Sequence, residues 1–555
     1  MAHPVSRRPL AWRHHAAILL LFVTLTLVLT YPQVRGLSTM IPYHSDPYFS
    51  IWRLAWVAHA IKTDPLAMFE ANIFYPAHHT LGYSDAALLQ GAAAAPFFWA
   101  HVNSVLIYNG VLLASFALSG YAAFLLAWML TGNAMGSMVA GIVYAFGPYR
   151  FCHYVHLELQ AVFWIPLGLV MIHQIVAHGR ARDGVSLGAT VTAQLFSNVY
   201  MCFYSLIYFA VVMPALFVLT GARDVRRVLV ATAAGAALTI VFAVPYMLAY
   251  QRTADDIGMR SLAEVRAYSA SMKHYLSAPA MNRLYGWTAG NDPAWADEMN
   301  LFPGVLACLF ALVGIATGRS RVRYAYLLGL AVSLELSRGA SSWAYRWLYQ
   351  HIDAFQALRS PARFAALVNL SLGVLAAFGV ASLLERIARP AWKRLLGALF
   401  VAVLIAEYAS SPQLSPVPSP SRIDTALARR PASVIVELPL LARGGFWGSF
   451  DSIYMFQGIG HFHKMLNGYS GHAPASFDAM RQAMAAFPDQ RSMDFLRTMG
   501  VDYVAVRGGW YEPAQRAALF ERMDNTAGLS LDSKWLDGPS GDEALYRIEP
   551  VTDLR

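Results

Sequence analysis

Residues 16–48 read AAILLLFVTLTLVLTYPQVRGLSTMIPYHSDPY, an apolar run that gives way to a polar stretch holding one carboxylate, Asp46. A helix needs about 20 mostly apolar residues to cross ~30 Å of hydrocarbon, and the first part of this stretch comes close. Arg7, Arg8 and Arg13 precede it, which places its start on the cytoplasmic side. The run superficially resembles a secretion signal. It lacks a small-residue cleavage site and more apolar runs follow, so it reads as a retained first helix. Asp46 then stands just past the outer end of that helix, where an ionisable group is a functional candidate by default.

The rest of the chain has the same character. Of 555 residues, 57% are hydrophobic and 14% are charged, against about 25% charged in an average soluble domain. A soluble globular protein is excluded, and the composition is that of a polytopic membrane protein. The formal charge of +9 sits mostly in short loops between apolar runs, where it sets orientation and gives no reason to expect nucleic acid. The three cysteines, Cys152, Cys202 and Cys308, have no spacing suited to a metal site or a disulfide framework.

The apolar runs cover roughly 16–33, 104–130, 134–149, 158–178, 185–199, 201–220, 227–250, 300–318, 322–337, 362–384 and 394–410. Arginine-rich loops at 180–182, 223–227, 319–323 and 386–394 then fall on the cytoplasmic side. The stretch 85–100 is about 16 residues long, contains Pro96, and would break that pattern as a full crossing. It is expected to be interfacial or re-entrant. The expected fold is mainly α: a multi-pass transmembrane helical bundle of about 11 crossings, with the N-terminus cytoplasmic and the C-terminus outside. Residues 1–410 would form the membrane domain, with outer loops 34–103, 251–299 and 338–361. From about 411 the Ser-Pro-rich linker leads into a small extracytoplasmic α/β domain, 411–555, with strands expected at 433–438, 501–506 and 544–548.

Three constellations could carry chemistry. In the first outer loop, Asp46-Pro47 opens Tyr48–Ile61, whose Phe49, Trp52, Trp56, Val57 and Ala60 recur at helical spacing. That pattern suits an amphipathic helix lying along the membrane surface. Asp46, and Asp85 further on, could each be only a helix-capping residue. The second constellation is the turn 148–158, with Arg150, His153, His156 and Glu158 on one face looking back towards Asp46. His153 and His156 with Glu158 or Asp46 could hold a divalent metal; the plainer alternative is a boundary turn whose polar groups reach water.

The third is a set of basic residues in the outer loops, Arg252, Arg260, Arg266, Lys273, His274, Arg283, Arg338, Arg346, Arg359 and Arg363. They oppose the positive-inside trend, and a lipid phosphate or pyrophosphate is a physical reason for them. Alternatively they are loop charge balanced by Asp255, Asp256, Glu264, Asp292, Asp297 and Glu298. Arg359 and Arg363 bracket Ser360-Pro361 at a helix entrance. In the tail, Asp451, His461, His463, Lys464, Asn467, Tyr469 and His472 form either an acceptor-binding surface or a structured polar loop.

This layout resembles the GT-C class of integral-membrane glycosyltransferases, which includes protein O-mannosyltransferases, aminoarabinose transferases and bacterial oligosaccharyltransferases. The stretches 72–76 (NIFYP), 80–85 (TLGYSD), 358–364 (LRSPARF) and 466–470 (LNGYS) are also similar to those of uncharacterised bacterial multi-pass proteins grouped near that class. The resemblance implies transfer of a sugar from a polyprenyl-phosphate-linked donor to a glycan, lipid or protein acceptor, at the outer face of the bacterial inner membrane. It implies Asp46 as general base or holder of Mg or Mn. His44, Asp85, Arg150, His153, His156, Glu158, Arg359 and Arg363 would line the substrate site. One departure is that the class often shows two neighbouring acids, whereas Asp46 is flanked by His44 and Tyr48. A flippase for lipid-linked saccharides, or an assembly scaffold working through the tail, are the other classes to consider. A transporter would hold its acids near the midplane, whereas here they lie mostly outside the spans or at their ends, Glu335 being the nearest exception.

Overall fold

In a computed structural model of the chain, residues 10–290, 298–440, 449–538 and 541–549 are described. Arg7, Arg8, Asp292 and Asp297 lie outside them. Every apolar run is helical: Trp12–Leu29, Ser104–Thr131, Ala134–Phe146, Trp164–His178, Ala181–Ser197, Val199–Thr220, Val225–Ile257, Val305–Thr317, Arg323–Ser337, Ala365–Glu385 and Pro390–Tyr408. Six segments are long and apolar enough to cross a membrane alone: Trp12–Leu29, Ser104–Thr131, Leu157–His178, Val199–Thr220, Val225–Asp255 and Pro361–Glu385. Helices such as Ala134–Phe146 and Val305–Thr317 have only 13 residues. Length and composition therefore establish six candidate spans, and the count of eleven remains a reading of the sequence pattern. Leu88–Trp99, the segment expected to be interfacial, is a helix of 12 residues containing Pro96.

The chain divides into two compact units. The first comprises Met1–Leu37, Asn109–Met247 and Met259–Leu414. Its centre is the helix Ala365–Glu385, buried along nearly its whole length. Small residues let neighbouring backbones come close to it. A Cβ on Gly314 would lie 2.0 Å from the Leu375 carbonyl, one on Gly379 2.0 Å from that of Phe310, and one on Gly136 2.7 Å from that of Ala377. Any larger residue at these positions would push the helices apart.

The second unit comprises Ser38–Tyr108, Leu248–Gly258 and Ser415–Arg555. The first outer loop thus belongs with the tail, although the two are more than 300 residues apart in sequence. The tail carries a five-stranded sheet made of β1 (Val434–Leu438), β2 (Lys464–Met465), β3 (Tyr503–Arg507), β4 (Leu529–Gly538) and β5 (Gly541–Ile548), in the order β2-β1-β3-β5-β4. β1 runs parallel to β2 and β3, while β5 is antiparallel to β3 and β4. Residues 72–75 of the loop lie along β2. Met465 N–H donates to the Asn72 carbonyl (2.8 Å), Tyr75 N–H to Met465 (2.9 Å) and Phe74 N–H to Asn467 (2.9 Å).

This arrangement corrects the expectation for the helix Asp46–Thr63. Its Phe49, Trp52, Trp56, Val57 and Ala60 do not lie against a membrane surface; all are buried in one core with Phe74, Ile435, Met455, Met465 and Phe477. The aromatic stripe marks the face that the tail covers. Two tail glycines make the approach possible: a Cβ on Gly468 would lie 2.6 Å from the Phe74 ring, and one on Gly471 would lie 2.9 Å from the Tyr83 carbonyl.

Candidate active site

In the second unit, Ser45 holds the N-cap position and Asp46 opens its helix, with Pro47 in the first turn. A carboxylate there is favoured by the helix dipole. It does more than that: Tyr469 donates its hydroxyl proton to Asp46 Oδ1 at 2.5 Å. A short bond to an ionised acceptor is a strong one. His44 Nδ1 accepts from the Asp46 backbone N–H (3.1 Å) and stands 3.6 Å from Oδ2. The Asp46 side chain is still 18% exposed, so it is oriented yet accessible. Tyr469 is itself fixed, with Phe49 packed edge-on at 5.7 Å and its backbone N–H directed at Met455 Sδ (3.2 Å).

Asp85 is buried in the same unit. Its backbone carbonyl accepts from Arg53 Nη1, a buried guanidinium that also donates to Ser50 Oγ (3.2 Å) and lies 4.8 Å from the Phe49 ring centre. Tyr250 anchors the flanking backbone, donating to the Ser84 carbonyl (3.1 Å) and accepting from the Ala86 N–H (2.9 Å). Sequence reasoning passed over Arg53. The available signal was a lone arginine inside a stripe of aromatic and apolar residues.

In the first unit, the segment 358–364 is tied from several sides. Tyr345, Tyr204 and Tyr149 donate to the carbonyls of Leu358 (3.2 Å), Ser360 (3.1 Å) and Arg363 (3.3 Å). Tyr200 accepts from the Arg359 N–H (3.2 Å), and Phe364 stacks on Tyr204 at 3.9 Å. The two arginines have different fates. Arg363 is buried and forms a two-pronged ion pair with Glu298, through Nη2 to Oε1 and Nε to Oε2 (3.2 Å), while Ser360 Oγ donates to Oε2 (3.1 Å). Burial alone would push the Glu298 carboxyl up, but the Arg363 guanidinium beside it holds it well below the usual carboxylate range. Arg359 instead lies over the Tyr268 ring at 5.1 Å. Its guanidinium has no ion pair among the described residues.

The turn expected to face outward is mostly buried. Arg150 Nη2 donates to the Gln160 carbonyl (2.9 Å), and the guanidinium lies 4.8 Å from the Phe116 ring centre. Gln160 Nε2 returns bonds to the carbonyls of Arg150 (3.2 Å) and His153 (2.5 Å). Burial lowers the His153 pKa to about 3, so that imidazole is neutral at any working pH. His153 and His156 are 5.6 Å apart between ring centres, and Glu158 is half-buried nearby in sequence. Among the described residues no three His, Cys, Asp or Glu side chains form a group able to hold a metal ion. The expected set of His153, His156 and Glu158 is therefore not such a group.

No family model matches the chain, and no curated protein matches it. Among solved structures, the chain is similar to the Archaeoglobus fulgidus oligosaccharyltransferase in the apo form. The identity is 12% and the TM-score 0.45, over 88% of this chain and 69% of that one. At that level the similarity carries no argument, and the functional reading rests on the residues described above.

Proposed function

We propose that this protein is a membrane glycosyltransferase that moves a sugar from a polyprenyl-phosphate donor to an acceptor hydroxyl on a glycan, lipid or protein. It would act at the outer face of the bacterial cytoplasmic membrane, with the N-terminus cytoplasmic and the tail outside. The observation that carries this reading is the contrast between the two arginines of residues 358–364. Arg363 is neutralised by Glu298 and fixes the segment. Arg359 is presented on that fixed segment over the Tyr268 ring and beside Tyr200, with no ion pair among the described residues, which is the state expected of a phosphate ligand.

The chemistry follows from these groups. Asp46 accepts the proton of the acceptor hydroxyl, whose oxygen bonds to the sugar C1 as the C1–O bond to phosphate breaks. The departing polyprenyl phosphate carries the electron pair, and positive charge is what steadies it. Phosphate leaves without needing a proton, so one carboxylate suffices where glycoside hydrolysis needs two. The decisive assay uses purified protein in lipid with a polyprenyl-phosphate sugar. Asp46→Asn should fold normally and transfer nothing. Transfer at the parent rate in that variant would remove Asp46 from the reaction.

A further inference from the structure

The sheet of the tail has a switch point. The chain leaves β1 towards β2 on one side and leaves β3 towards β5 and β4 on the other. In open α/β sheets, ligands bind in the crevice outside the carboxyl ends of two such strands, where the connections diverge. A cleft of about 840 Å³ lies at that place, formed by Leu438, Pro439 and Leu440 at the end of β1, by Tyr511 after β3, and by two helices, Ala475–Ala483 and Pro513–Asp524. The size is within the range of small-ligand sites, roughly 300–1,000 Å³.

The lining has two parts. Leu438, Met484, Phe487, Tyr511 and Leu519 give it an apolar lining, two of them aromatic. Asp478, Arg481, Gln482, Gln515 and Arg522 stand around it, with one negative and two positive charges among them. Arg522 is anchored by Nη2, which donates to the carbonyls of Ala486 and Phe487, both at 2.7 Å. Gln482 and Gln515 are exposed, with no side-chain hydrogen bond among the described residues. Planar amide, carboxylate and guanidinium groups present paired donors and acceptors, which match adjacent ring hydroxyls. Flat apolar walls match the C–H faces of the same rings.

We infer that this cleft holds a short saccharide, two or three rings long and carrying an acidic substituent. The inference rests on the transferase reading for its biological sense, the cleft being where an acceptor glycan is gripped, but it is tested without transfer. Isothermal titration of the full chain in detergent micelles would use a hyaluronan tetrasaccharide as the acidic probe and maltotetraose as the neutral one. The acidic probe should bind about tenfold tighter or better. The double variant Gln482→Ala/Gln515→Ala should weaken it about tenfold, and Arg522→Gln should erase the acidic preference. Binding of neither probe, or binding indifferent to the glutamine and arginine variants, overturns the inference. A chain that transfers sugar yet binds neither probe would sink the cleft alone. One that binds through the cleft yet transfers nothing would support the cleft and sink the transferase.

Discussion

Tyr469 donates a 2.5 Å hydrogen bond to Asp46 across 423 residues of sequence. A carboxylate that accepts such a bond is stabilised in its charged form, and the bond also fixes which way its second oxygen points. Tyr469→Phe removes the donor and nothing else of the ring. The carboxylate should then lose its aim, so kcat should fall about tenfold while the donor KM and the melting temperature stay near the parent values. An unchanged kcat would mean the tyrosine is mere packing.

Arg359 and Arg363 should separate cleanly. Arg359→Ala leaves no buried carboxylate unpaired, so thermal unfolding in detergent should barely change. The KM for the polyprenyl-phosphate donor should rise about 10- to 100-fold, and Arg359→Lys should restore only part of the loss. An unchanged donor KM would return Arg359 to the status of a loop charge.

Glu298→Gln should behave in the opposite way. It strands the Arg363 guanidinium in a buried site, which costs about 3–5 kcal/mol, and the melting temperature should fall accordingly. Removing both charges together, in Glu298→Gln/Arg363→Met, should recover much of that loss. The pair also has a pH signature. Because the folded carboxyl is held below its ordinary value, its stabilisation is complete above the ordinary carboxylate pKa and falls away only as the pH drops below it. Wild-type stability should therefore decline towards acid through this pair, and the double variant should lack that component.

Asp451 gives a case of the opposite sign. It accepts from Asn467 Nδ2 at 2.9 Å, but burial raises its pKa to about 6. A carboxyl raised in the folded state contributes stability below its unfolded pKa and loses it as the pH climbs through 6. Asp451→Asn should therefore stabilise the tail by about 1–2 kcal/mol at pH 7.5, with little difference at pH 4. Urea unfolding followed at both pH values checks this.

The helices were legible in the sequence because lipid imposes a one-dimensional signal: long apolar runs broken by arginines. The same signal misjudged the aromatic stripe of Asp46–Thr63. A stripe that faces lipid and one that faces another domain bury the same residue types, and periodicity cannot name the partner. Asp46 stood out as a lone acid after a span, but Tyr469 was only one polar residue in a tail cluster. Glu298 was counted as ordinary loop charge, since no spacing links it to Arg363, 65 residues on. Four short stretches carry the resemblance. Two of them, 72–76 and 466–470, are bonded backbone to backbone.

That bonding between residues 72–75 and the 465–467 strand region has a consequence for biosynthesis. A ribosome adds residues from the N-terminus, so the first loop emerges long before the strand it must lie against. Nearly 400 further residues have to be made before Asn72 meets Met465 and Tyr469 reaches Asp46. Assembly of the Asp46–Tyr469 pair is thus among the last events in the life of the nascent chain. A polypeptide that stalls or is clipped before the tail closes would lack that pair, and on the transferase reading it would be chemically silent.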